Sequence, residues 1–371
     1  MRAPHLTKAP GLRALAAALI GLALAGPAAA QSPDLAAAST RAVNDVIIPA
    51  YRALAQAAKH QAQAMDRLCT ATQGEALDAA RNSFAGLVDA WSAVEAYRFG
   101  PVKKANRFER LMFWPDRRGR GLKQVRKIVA TKDPTASSAT TLVKKSVAVQ
   151  GLLALEFVLF GTGSDSLAAA GRDGFRCAYG KAIAGTMAAT ADAVVADWTG
   201  ADGYGALIQA PGDSNPVYRS HGEAIQELLR AAGEQLQIVI DLKLTAALGD
   251  SASDTKPKSP PFWRSGLVLA NISGNVAGIR ALHDRSGLAD LLPRETASSA
   301  DTLAFELDQA ERALASLLAS DADWAALPRT KQSRDTVAYL RIPLKGAKEI
   351  LTEHYPAEFG LTLGFNSLDG D

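Results

Sequence analysis

Apolar residues recur at spacings of three and four along most of this chain, and the two-residue alternation of a half-buried strand is nearly absent. The stripe Phe84, Leu87, Val88, Trp91 and Val94 marks a helix from about Glu75 to Phe99, stopped by Gly100-Pro101. An earlier amphipathic segment reaches about Leu68, with Ser32-Pro33 as its start and a kink at Pro49. A short helix is expected over Ala105 to Phe113, and longer ones over Thr140 to Phe160 and Phe175 to Trp198. Beyond a loop at Gly200 to Pro216, the stripe Ile225, Leu228, Leu229, Ala232, Leu236, Val239 and Ile240 predicts a helix from Tyr218 to Leu248. The polar run GDSASDTKPKSPP, Gly249 to Pro261, reads as a linker. Helices at Gly266 to His283, Asp301 to Leu318 and Thr330 to His354 complete the pattern. The expectation is an all-α protein of two tandem helical bundles, residues 31–205 and 206–371.

The informative positions are the polar ones that interrupt these stripes. Glu156 shares a helical face with Leu152, Leu153, Phe157 and Phe160, so it points toward the interior. A buried carboxylate needs a partner, and Arg98 or Arg280 is the expected one. Glu95 falls four residues after Trp91, with Arg98 three residues later. That spacing suits either a surface ion pair of little worth or a buried pair that orients a pocket. Arg280 and His283 border the apolar face of Leu269, Ile272, Val276 and Ile279, where His283 reads first as a satisfied core histidine. Gly274 and Gly278, four apart, predict that another backbone approaches closely.

Composition changes the picture at the N-terminus. Arg2, Lys8 and Arg13 precede an apolar run, Leu15 to Ala25, and Ala28-Ala29-Ala30 precedes Gln31. Residues 1–30 therefore read as a secretory signal peptide, which makes the mature chain periplasmic or otherwise exported. No later run is long enough to span a bilayer. The formal charge of +3 on the whole chain falls to zero once these residues are removed, which argues against nucleic-acid partners. The two cysteines, Cys69 and Cys177, are expected to form a disulfide in an oxidising compartment.

Eleven Lys or Arg and only two acids, Glu109 and Asp116, lie between Arg98 and Lys127. The stretch reads as a solvated loop face, with an anion site as its functional alternative. HExxH, GxSxG and P-loop patterns are absent, and no histidine has a carboxylate three residues away. Against that background, five segments in order carry a family likeness. They are WSAVEAYRFGP (Trp91–Pro101), FWPD (Phe113–Asp116), GLLALEFVLFG (Gly151–Gly161), GNVAGIRALHDRSGL (Gly274–Leu288) and the terminal LGFNSLDGD.

Together these segments resemble the imelysin family, also known as insulin-cleaving membrane protease and iron-regulated protein A. The resemblance implies an exported envelope protein of two helical bundles, tied to iron uptake and nominally a metallopeptidase. Its hallmark G-x-H-x-x-E maps to Gly151 and Glu156, with Leu153 in place of the histidine. Leucine supplies no lone pair, so one hard ligand is left for iron or another divalent metal. The reading this supports is a non-enzymatic binding module. Its site would draw on Glu156, Gly151, Glu95, Arg98, Asp116, Arg280 and His283, with no catalytic or metal-binding residue and no resident cofactor. The expected partners are a small anionic ligand or metal chelate and an envelope protein. The alternatives are a metal-dependent peptidase with ligands elsewhere in the chain, or a structural envelope protein.

Overall fold

The computed structural model describes residues 34–70, 75–168, 174–320, 323–327 and 331–361. The proposed signal segment, Ser32-Pro33 and the terminal LGFNSLDGD lie outside them. The principal helices are α1 (Ile48–Thr70), α2 (Glu75–Val94), α3 (Arg120–Thr131), α4 (Gly151–Phe160), α5 (Gly174–Thr199), α6 (His221–Ile238), α7 (Val268–Ser286), α8 (Ser298–Ala319) and α9 (Arg341–Glu349). No strand occurs among the described residues. The chain is all-α, arranged as helical bundles.

In the first half, α1 packs on α5 and α2, and α4 packs on α5 and α2. In the second half, α6 and α8 both pack on α9, and α7 joins α8. Helix α7 also lies against α2, so one continuous core runs through residues 34–361, which form one compact unit. The proposed boundary at 205/206 falls inside the short helix Tyr204–Gln209.

The α2–α7 contact is built on two glycines. A Cβ on Gly274 would lie 2.5 Å from the Ser92 Cβ, and one on Gly278 would lie 2.5 Å from the Ala93 carbonyl oxygen. Only hydrogen fits there, so the two backbones meet as the spacing of these glycines predicts. Trp91 and Val94 are buried on α2, and Ile272, Val276 and Ile279 on α7.

Several boundaries differ from expectation. Asp34 caps the first helix, Leu35–Arg41, accepting a hydrogen bond from the Ala37 amide. A π-helical turn, Ala42–Ile47, leads directly into α1 and Pro49. The expected helix Thr140 to Phe160 is broken, because Gly151 adopts a left-handed φ of 72°. There its α-carbon abuts the carbonyls of Arg110 and Leu111, 2.3 and 2.4 Å from where a Cβ would sit. The basic stretch is not a loop face throughout, since α3 forms within it and buries Val125 and Ile128. Helix α6 continues through a second π-helical segment, Val239–Thr245.

Cys69 at the end of α1 and Cys177 at the start of α5 form a disulfide, with Cα atoms 5.6 Å apart at a sequence separation of 108. It ties together the two helices with the most extensive mutual packing. Replacing both cysteines with alanine is expected to lower unfolding free energy by about 2–4 kcal/mol. Denaturant titration measures this, and a non-reducing peptide map tests the pairing. Two free thiols in oxidised protein would contradict it.

Candidate functional site

Glu156 is wholly buried on α4, as its place on the apolar face predicts. Its partner is neither Arg98 nor Arg280. Its Oε1 accepts from the backbone amides of Arg264 and Ser265 and from the Ser265 hydroxyl, each at 3.0 Å. Its Oε2 accepts no hydrogen bond from the described residues, and faces the Arg264 Nη1 at 3.6 Å. The chain reaches this arrangement through Phe262, whose φ of 62° is costly for a bulky residue. Complete burial of the Phe262 ring, 6.2 Å from that of Phe84, holds the conformation in place.

A cavity of about 590 Å³ opens beside Glu156. Its walls are Phe113 to Arg117, the first turns of α3, Leu153 and Ala154 on α4, Leu242 and Ala246 beyond α6, and Lys258 to Arg264. The segment expected to be a linker is thus, at its C-terminal end, part of the wall. Two indole N–H groups fasten it there. Trp114 donates to the Ser259 carbonyl at 3.1 Å and Trp324 donates to the Pro257 carbonyl at 2.8 Å.

Asp116 lies on this wall, but its carboxylate is engaged. It accepts from the amides of Arg120, Gly121 and Leu122 at 2.8, 2.9 and 3.2 Å. It therefore caps α3, where the helix dipole favours an anion. The FWPD segment works as a corner brace: Trp114 holds the 258–261 wall and Asp116 starts the helix opposite. Gly151 contributes through its backbone, letting α4 begin against Arg110 and Leu111.

Glu95 belongs to a separate buried network. Its Oε2 accepts from Lys243 Nζ at 2.9 Å, Asn275 Nδ2 at 2.9 Å and Asn271 Nδ2 at 3.1 Å. Lys243, also wholly buried, donates to the side-chain oxygens of Asn271 and Asn275 at 2.7 Å each. Its three protons thus have three acceptors, which oppose the burial that pushes the ammonium below the ordinary lysine range. Burial alone would raise the Glu95 carboxyl, but Lys243 and Arg98 outweigh it and hold the group below its ordinary range. Arg98 adds a 3.4 Å contact to Glu95 Oε1 and stacks 4.8 Å from the Phe108 ring centroid. Sequence reasoning missed Lys243. The signal was present, because it continues the stripe of Leu236, Val239 and Ile240.

Arg98 lines a second cavity of about 390 Å³ with Lys103, Glu109, Arg230 and Glu234. Phe113, Trp114 and Pro115 border both cavities. Arg280 and His283 lie in neither. Arg280 clasps α8 through Asp308, Glu311 at 3.4 Å and the Ala304 carbonyl at 3.1 Å. His283 is buried, with the Tyr355 hydroxyl 3.3 Å from Nδ1, and burial lowers its pKa. The expected assembly of Glu156, Glu95, Arg98 and Arg280 around one pocket therefore does not form.

A divalent metal, as the hallmark motif would imply, does not fit the residues present. Leu153 offers no donor atom, Glu156 Oε1 already has three hydrogen-bond donors, and the Arg264 guanidinium stands beside Oε2. Among the described residues no three His, Cys, Asp or Glu side chains form a group able to hold a metal ion.

A family model described as Imelysin matches residues 47–345. Among solved structures, an imelysin-like protein from Psychrobacter arcticum 273-4 superposes with a TM-score of 0.73 at 20% identity, covering 89% of this chain and 97% of that one. A protein described as an iron-regulated protein A precursor, from Parabacteroides distasonis ATCC 8503, gives 0.68 at 16% identity, covering 85% and 94%. No curated protein matches the chain. Among the described residues no helix is long and apolar enough to cross a membrane.

Two predictions concern the buried carboxylates. Lys243→Met strands the Glu95 charge and should cost about 3–5 kcal/mol. In a double-mutant cycle with Glu95→Gln, strongly non-additive losses are expected, and additive losses would contradict the pairing. For Glu156, burial pushes the carboxyl above its ordinary value of about 4.5 and prevails over Arg264 and the Ser265 donors. The folded chain then binds the proton more tightly than the unfolded chain. Stability from this group is complete below the unfolded pKa and declines as pH rises through the folded one. The melting temperature of wild type relative to Glu156→Gln should therefore fall from pH 4.5 upward. A gap that widens in favour of wild type would contradict it.

Proposed function

The chain belongs to the imelysin family, and on that premise we propose that it is an exported envelope protein that binds a small ligand beside Glu156 without hydrolysing it. The observation that carries this reading is the Leu153–Glu156–Arg264 arrangement. Where a metal-dependent hydrolase needs an open cation with several ligands, this chain has an apolar side chain, a saturated carboxylate oxygen and a fixed guanidinium. The volume of the adjoining cavity is that of a site for a drug-sized molecule. Export rests on the basic, apolar and small-residue order of residues 1–30. A role in metal acquisition is supported by the solved structure described as an iron-regulated protein A precursor. The metal would then arrive as part of a chelate or be handled by a partner in the envelope, rather than reside at Glu156.

Native mass spectrometry of the protein isolated gently from the cell envelope tests this. Wild type should retain a small molecule of a few hundred daltons. Leu153→Trp, which fills the cavity from a partly exposed wall position, should not. Incubation with denatured protein substrates should give no chelator-sensitive cleavage. Cleavage abolished by both a chelator and Glu156→Gln would overturn the proposal.

A further inference from the structure

The cavity beside Glu156 has a polar point at its base, apolar walls and a positively charged mouth. At the base, Glu156 is wholly buried and its Oε2 has no hydrogen-bond partner among the described residues. The walls come largely from Trp114, Leu122, Val125, Leu153, Pro260 and Trp263. At the mouth, Arg117, Arg126 and Lys258 are exposed, and none has an ion-pair partner among the described residues. Of the lining carboxylates, Asp116 is consumed by the α3 amides and Glu156 faces Arg264. The mouth therefore keeps positive charge that no described residue pairs with.

Part of that charge is held in position. Lys258 Nζ lies 5.0 Å from the Trp263 ring centroid. The Arg126 guanidinium lies 6.0 Å from the centroid of Phe157. Cations resting on aromatic rings are oriented without being neutralised, which leaves them able to take an anion.

Building on the ligand-binding reading above, we propose that the cavity takes an aromatic hydroxy acid. Its ring would lie between the apolar walls, its carboxylate at Lys258 and Arg126, and its hydroxyl on Glu156 Oε2. A hydroxyl both donates and accepts, so it satisfies Oε2 whether Glu156 is ionised or protonated. An aliphatic acid would leave the tryptophan-lined walls unfilled. A neutral aromatic would leave the cationic mouth unmatched.

Three probes of one shape test the three contacts: 6-hydroxy-2-naphthoate, 2-naphthoate and 6-hydroxy-2-naphthamide. Trp114 and Trp263 line the cavity, so quenching of tryptophan fluorescence reports binding, with calorimetry for stoichiometry. The hydroxy acid should bind one to one. Loss of the anion should weaken binding by at least about tenfold, and loss of the hydroxyl by about fivefold. Lys258→Glu, at an exposed position, should erase the preference for acid over amide, and Leu153→Trp should abolish binding of all three. Equal affinity for acid and amide, binding unaffected by Leu153→Trp, or no binding of the hydroxy acid would overturn the inference. If the probes fail while wild type still retains a cell-derived molecule that Leu153→Trp lacks, only the ligand class is wrong. If neither binds, the ligand-binding reading falls as well.

Discussion

The ion pair between Glu95 and Lys243 fixes where three helical elements must meet. Two full charges are buried together, which is tolerable only if every proton and lone pair nearby is engaged. Asn271 and Asn275 complete that requirement, and they can reach Glu95 because Gly274 and Gly278 let α7 lie directly on α2. Lys243 is held from the π-helical continuation of α6, with Leu242 and Ala246 on either side of it in sequence forming wall of the larger cavity. A shift of α7 along α2 by one turn would break the network and move that wall. The register of the second half on the first is thus set by electrostatics within an otherwise apolar contact.

Much of the fold was legible because helical periodicity survives in a single sequence. The α2 and α7 stripes, the close approach at Gly274 and Gly278 and the burial of Glu156 follow from local spacing, and the pairing of the cysteines is expected from reading residues 1–30 as a signal peptide. What was not legible depends on residues distant in the chain. Nothing near Glu156 in sequence points to the amides of Arg264 and Ser265, over 100 positions away. The break at Gly151 is dictated by the Arg110 and Leu111 carbonyls, a steric demand that periodicity cannot register. The Gly249–Pro261 run looked like a linker because it is polar and proline-rich, yet indoles from two other segments pin it down. The basic stretch concealed α3, since two buried apolar residues are a faint stripe among so many charges.

Each polar or small residue of the Gly151–Glu156 segment has a structural role of its own. Gly151 serves backbone packing and needs no ligand to justify it. Glu156 is held by two amides and the Ser265 hydroxyl at Oε1, with a guanidinium facing Oε2. With Leu153 beside it, the same corner of α4 becomes part of an apolar wall. Chemistry at such a corner is decided by its neighbours more than by the carboxylate itself.

The wall supplied by Lys258 to Arg264 has a consequence for how the protein can be divided and how it is assembled. The carboxylate and its counter-ion come from opposite halves of the chain, so neither half carries the site. A gene fragment encoding either helical group would leave one of the two charges without its mate. Contacts of such wide sequence separation also form after local helices during folding. The cavity exists only where both halves have docked, so its presence reports that docking.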